Sequence, residues 1–107
     1  MKPIRLDPEA EAEIWAELGW YESERTGLGR RLWKAVQHAI SLISEHPAIG
    51  EVVPRIRGVH PPPRRFQVRR FPFYLVYREF ADEIELVALA PMSRKPGYWR
   101  SRALKSK

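Results

Sequence analysis

The sequence contains no cysteine, which excludes disulfides, thiolate metal sites and a cysteine nucleophile. It also lacks any apolar stretch approaching the ~20 residues that a membrane span requires. The segment Met1-Lys2-Pro3-Ile4-Arg5-Leu6 runs straight into charged residues with no apolar core of a secretory signal. A cytoplasmic protein without membrane association is therefore expected. No internal repeat or low-complexity segment is present. Nor is there a Ser/His/Asp arrangement, a glycine-rich phosphate loop or a paired-carboxylate motif. Histidine is scarce and its positions do not combine. His38 and His46 lie at i and i+8 of one helical segment, too far apart for a single metal ion, and His60 sits in a proline-rich loop. No metal and no cofactor are expected.

What is present suits one domain over residues 1–107, a length that supports a single core. A hydrophobic fraction of 44% with 30% charged residues is that of a globular protein, not a disordered one. The net charge of +6 is unevenly placed: residues 1–50 carry six Lys/Arg against eight Asp/Glu, residues 51–107 thirteen against five. Such a field favours an acidic partner, protein or nucleic acid, on the C-terminal half. The plainer reading is a solvated surface with skewed charge.

Asp7-Pro8-Glu9 opens a first helix. Asp7 can accept a backbone N–H as cap, and Pro8 suits the first helical position, which needs no donor. Glu9, Glu11 and Glu13 favour the positive end of its dipole. Ala10, Ile14, Leu18 and Tyr21 share one face. Gly19 costs helix stability, and close packing of a second helix would be one reason to keep it. Thr26-Gly27 then turns the chain into a second helix from about Leu28, striped by Leu32, Ala35, Val36, Ala39, Ile40 and Ile43 and stopped by Pro47. The two form an antiparallel hairpin.

No helical period runs from Gly50 to Pro63, and Pro61-Pro62-Pro63 forces an extended loop. Beyond it the period changes to two. Phe66 and Val68 alternate with Arg65, Gln67 and Arg69; Phe73 to Tyr77 is apolar on both faces, as in an interior strand. Ala81-Asp82-Glu83 can turn this run into Ile84 to Leu89, giving a β-hairpin. Ile4 to Leu6 is a candidate edge strand, and a basic tail runs from Arg94 to Lys107. The expected fold is α+β in two layers: a helical hairpin on one face of a small twisted antiparallel sheet.

Four short signatures appear in order: Glu13-Ile14 with Trp20-Tyr21-Glu22; Gly27-Leu28-Gly29; Arg69-Arg70-Phe71-Pro72-Phe73 before Val76-Tyr77-Arg78; and Arg94-Lys95-Pro96-Gly97-Tyr98-Trp99-Arg100. Together with the element order, they resemble the ParE/RelE superfamily of bacterial plasmid-stabilisation and toxin–antitoxin toxins over nearly the whole chain. The resemblance implies the toxic half of a type II pair, masked by a cognate acidic antitoxin in a hetero-oligomer. Many members carry a histidine before the arginine of the last signature; Pro91-Met92 stands there in this chain.

The superfamily divides by activity. RelE-like members cut messenger RNA in the ribosome, whereas ParE-like members poison DNA gyrase without known catalysis. Cleavage by the 2′-hydroxyl needs a base, cations for the crowded phosphate and an acid for the leaving oxygen. Carried over from the ribonuclease branch, two strand lysines fall on Arg65 and Gln67, and a strand arginine falls on Tyr74. A later arginine falls on Arg94, and a tyrosine is approximated by Tyr98. Gln67 and Tyr74 carry no charge at neutral pH, and guanidinium at Arg65 is a poor base. A ribonuclease would therefore have to draw on Arg65, Arg94 and Tyr98 with Arg70 recruited. The ParE-like reading is preferred, with gyrase as target; the alternatives are the ribosome-dependent ribonuclease and a non-toxic nucleic-acid-binding module. Arg69, Arg70, Arg78, Arg94, Tyr98, Trp99 and Arg100 are the expected contacts for target or antitoxin. Trp20, Tyr21, Phe73 and Tyr77 are read as core, whereas Trp15 and Trp33 lie off the apolar stripes and can face a partner.

Overall fold

The computed structural model describes residues 1–105, so Ser106 and Lys107 of the basic tail lie outside the described residues. A short strand, β1 (Ile4–Leu6), leads into α1 (Pro8–Glu24). Asp7 caps this helix by accepting the Glu9 amide at 2.8 Å, with Pro8 as first helical residue. Gly27, at φ 91°, supplies the left-handed residue between α1 and α2 (Leu28–Glu45).

The α2 N-terminus is closed from the other helix. The Glu22 carboxylate accepts the Gly27 and Gly29 amides, each at 3.0 Å, placing negative charge where the dipole is positive. Gly29 is the point of closest approach in the hairpin, since a Cβ there would stand 2.8 Å from the Leu18 carbonyl oxygen. Gly19, for which close helix packing was the suggested reason, has open space around it. The packing constraint belongs to Gly29.

Four strands follow: β2 (Glu51–Val52), β3 (Arg64–Gln67), β4 (Phe73–Glu79) and β5 (Ile84–Pro91). The sheet order is β1-β5-β4-β3-β2. Neighbours are antiparallel except β1, which runs parallel to β5, so the sheet is mixed and not purely antiparallel. The β4–β5 pairing steps from Val76↔Ala88 to Tyr77↔Leu86, leaving Val87 as the extra residue of a bulge.

Side-chain alternation divides the sheet into two faces. Phe73, Leu75, Tyr77, Ile84, Leu86 and Leu89 meet Ile14, Leu32, Val36, Ala39 and Ile43 of the hairpin. Each large side chain buried there contributes about 1.5–3 kcal/mol. Leu18, Tyr21 and Ile40 pack at the margin of this core. Trp20, read as core, is 55% exposed. It sits on the flank of α1 away from the Ile14–Leu18–Tyr21 stripe, touching the Tyr21 ring edge-on.

The opposite face is covered as well. Val76, Val87, Ala88 and Ala90 pack with Val53 from the loop after β2 and with Trp99. A short helix, α3 (Arg100–Lys105), completes this cover where only a basic tail was expected. The two expected layers thus carry a partial third, made from the loop and the C-terminal segment.

Candidate functional site

Three surfaces hold the candidate residues. The first is the outer sheet face, where a ribonuclease of this superfamily would place its cations. Arg65 donates to Glu51 at 2.7 Å and lies over the Tyr74 ring at 4.8 Å. Arg94 stacks on Tyr98 at 3.7 Å. Trp99 is only 1% exposed and fills the space beside them. The remaining recess, lined by Arg65, Tyr74, Arg94 and Tyr98 among others, measures about 30 Å³. That volume holds a water or two.

The phenol of Tyr98 is held in place by the open edge of β5. Because β1 covers only Ile84–Leu86, the next stretch of β5 has no strand beside it. The Glu13 carboxylate, reaching from α1, accepts the Leu89 amide at 3.1 Å and the Tyr98 hydroxyl at 2.9 Å. Arg102 grips the same carboxylate with both terminal nitrogens at 2.9 Å and donates to the Val87 carbonyl at 3.2 Å. Side chains thus stand in for the missing strand and block edge pairing. Burial, and next the Glu13 charge and hydrogen bond, raise the Tyr98 pKa far above that of a free phenol. The Arg102 pKa is also raised, first by its hydrogen bond to Glu13.

Two of the expected contact residues are interior. Arg78 is 2% exposed, donating to Glu85 at 2.8 Å, the His60 carbonyl at 3.0 Å and the Ala103 carbonyl at 2.9 Å. It ties the proline loop, β5 and α3 together, so it is not a surface contact. Glu85 also faces Arg5 at 3.5 Å. Trp99 is likewise core and not an exposed anchor, because it joins Val53 in the apolar cover of the sheet's second face. Arg100 is exposed but donates twice to the Arg57 carbonyl, at 2.9 and 3.3 Å, fastening the loop. Arg94, Arg69 and Arg70 remain exposed.

The second surface lies on the helical hairpin. Trp15 and Trp33, 68% and 40% exposed, flank an open groove of about 370 Å³ with Leu18, Glu22, Gly29 and Arg30. The third is a cleft between α2 and the β3–β4 turn, where Arg69 and Arg70 meet Arg31, Lys34 and His38. The sequence reading missed Arg31, Lys34 and His38, although their i, i+3, i+7 spacing opposite the apolar stripe was visible. It also missed Arg102 and the edge-capping role of Glu13; no local signal marks either. Among the described residues, no group of three or more His, Asp or Glu could hold a metal ion. No helix among them is long and apolar enough to cross a membrane.

Hairpin, mixed sheet and covered outer face define a small α+β fold. Residues 4–96 match the family described as the ParE toxin of the type II toxin–antitoxin system, parDE. The chain belongs to this ParE toxin family. A solved structure of the chromosomal ParDE TA system from P. aeruginosa superposes with a TM-score of 0.70 at 16% identity, over 85% of this chain and 96% of that one. This likeness shows the fold. No curated protein matches the chain.

Proposed function

We propose that this toxin arrests growth by binding DNA gyrase, without cleaving RNA, and that a cognate antitoxin of net negative charge neutralises it. The observation that carries the binding-only reading is the filled outer face, where about 30 Å³ remains beside Trp99. Arg65 is paired and stacked, and Gln67 and Tyr74 bring no cation to the adjoining strand positions. Tyr98 holds its proton more tightly than a free phenol and donates it to Glu13, which makes it a weak general acid. Losing one well-placed cation or proton-transfer group lowers such rates by about 10²–10⁴-fold. Family membership supports gyrase as the target. The Trp15–Trp33 groove, with Arg30 at its rim, supports an antitoxin that covers apolar surface and cations together.

The test sets a gyrase supercoiling assay beside a ribosome-dependent cleavage assay, using folded full-length chain. Inhibited supercoiling without cleavage is expected, reversed by adding the protein of the neighbouring reading frame. Codon-positioned cleavage with unaffected supercoiling would overturn the proposal, and silence in both assays would remove gyrase as target. Charge reversal at Arg94, which is exposed and stacks on Tyr98, is expected to weaken inhibition while leaving the protein folded.

A further inference from the structure

Away from the outer sheet face, one region gathers cations that the chain does not neutralise. Arg31, Lys34 and His38 follow one another at i, i+3 and i+7 of α2, which puts them on one side of the helix. Across an open cleft of about 720 Å³ stands the β3–β4 turn with Arg69 and Arg70. A further recess of about 400 Å³ continues past His38 toward Phe66 and Gln67. Among the described residues, no Asp or Glu lines either one. Among the described residues, the side chains of Arg31, Lys34, Arg69 and Arg70 form no ion pair.

The backbone of the turn adds a second observation. Arg70 has φ 70°, in the left-handed region that glycine enters freely and other side chains rarely adopt. The turn thus keeps an arginine where glycine would suit the backbone better. Strain of this kind gathers where a side chain is held for a ligand.

We propose that this cleft is a binding site for the phosphodiester backbone of duplex DNA. The α2 cations extend over about 10 Å of helix axis at 1.5 Å per residue, enough to meet about two neighbouring phosphates of one strand. Arg69 and Arg70 close on the same strand from the opposite wall. Guanidinium groups suit this role because their planar fork matches two phosphate oxygens.

Other occupants fit less well. A single strand needs aromatic rings on which bases stack, and of the two rings lining the main cleft Phe71 is packed edge-on against Tyr21 at 5.4 Å, which leaves the His38 imidazole alone. An acidic protein segment needs a central apolar anchor; of the large exposed apolar side chains of the hairpin, Trp15 and Trp33 line a separate groove and Trp20 does not line the cleft. Contacts made by cations to phosphates carry no sequence information, so binding is sequence-independent. The assignment goes beyond the gyrase reading and is tested without gyrase, so either can fail alone.

The experiment is fluorescence anisotropy of the purified full chain, without gyrase or antitoxin, against a labelled duplex of roughly two helical turns. A dissociation constant of about 10⁻⁴–10⁻⁶ M is expected at physiological salt, with log K falling against log salt at a slope of about −3 to −4 for four phosphates. Two unrelated sequences are expected to bind alike. Combining Arg31→Glu with Lys34→Glu, both at exposed helix positions, is expected to weaken binding at least tenfold. Arg70→Gly separates binding from folding: the melting temperature holds or rises while affinity drops and the slope shrinks by about 0.9. Unchanged affinity in both variants would overturn the proposal. So would tighter binding of single-stranded RNA, or of an oligo-glutamate peptide, than of the duplex.

Discussion

The outer sheet face and the α2 cleft are both rich in arginine, but the partners of those arginines differ. On the outer face four cations are built into the fold, Arg78 with Glu85, Arg102 with Glu13, Arg100 on the Arg57 carbonyl and Arg65 with Glu51, whereas Arg94 is exposed on the Tyr98 ring. In the cleft, Arg31, Lys34, Arg69 and Arg70 have no carboxylate opposite them. The difference teaches that local charge density alone does not mark a binding surface. A cation with an internal acceptor holds elements together, and one without an acceptor is available to a partner. In a chain of net charge +6, a few acidic residues decide which arginines fall in which group.

That contrast can be broken by mutation, with the largest effect on the outer face. Glu85→Ala leaves the buried Arg78 guanidinium without its carboxylate, and removing one partner of a buried pair costs about 3–5 kcal/mol. Urea unfolding is expected to show that loss, and a midpoint near wild type would mean that Arg78 does not depend on Glu85. A smaller loss is expected for Tyr98→Phe, about 1 kcal/mol for one hydrogen bond, because Glu13 keeps Arg102 and the Leu89 amide.

The same variant has a pH signature. Burial and Glu13 raise the Tyr98 pKa in the folded state above the value of about 10 for an unfolded-chain tyrosine. The stability this contributes is fully present below pH ~10 and is lost as pH rises beyond it. Tyr98→Phe is therefore expected to flatten the alkaline fall in melting temperature. Tyr77, whose pKa is also raised by burial, still contributes to that fall. Parallel alkaline curves for variant and wild type would show that Tyr98 is not held by Glu13. The smallest effect on stability belongs to the cleft: Arg69→Ala, exposed and unpaired, is expected to stay within about 0.5 kcal/mol of wild type. A loss as large as that of Glu85→Ala would erase the distinction between the two regions.

Periodicity made the inner core legible. The α2 stripe Leu32–Val36–Ile43 and the alternation of Phe66 and Val68 with Arg65, Gln67 and Arg69 each specify a buried face without knowledge of the partner. The outer face was less legible because its cover is non-local. Trp99 packs on Val76, Val87 and Ala90, and nothing adjacent to it in sequence marks it as buried. Arg78 reads as a solvated strand cation until Glu85 stands opposite it, paired across the β4–β5 ladder. Half of the cleft came from residues 1–50, where acidic residues outnumber basic ones. A charge count by halves therefore pointed away from Arg31 and Lys34.

The extra residue at Val87 gives β5 two reading frames. Up to Leu86 the even-numbered residues face the helices; beyond it the odd-numbered Leu89 does, while Ala88 and Ala90 turn to the outer face. The backbone follows the same shift, so the Leu89 amide and Val87 carbonyl emerge toward the open edge, where Glu13 and Arg102 meet them. Without the inserted residue those groups would point into the β4 ladder, and the carboxylate on α1 would meet the backbone of a neighbouring residue instead. Glu13 therefore holds the observed frame of the strand, bonding the Leu89 amide where the shift brings it to the edge. A single hydrogen-bonded carboxylate thereby couples the phase of the sheet to the seating of the first helix and the closure of the tail.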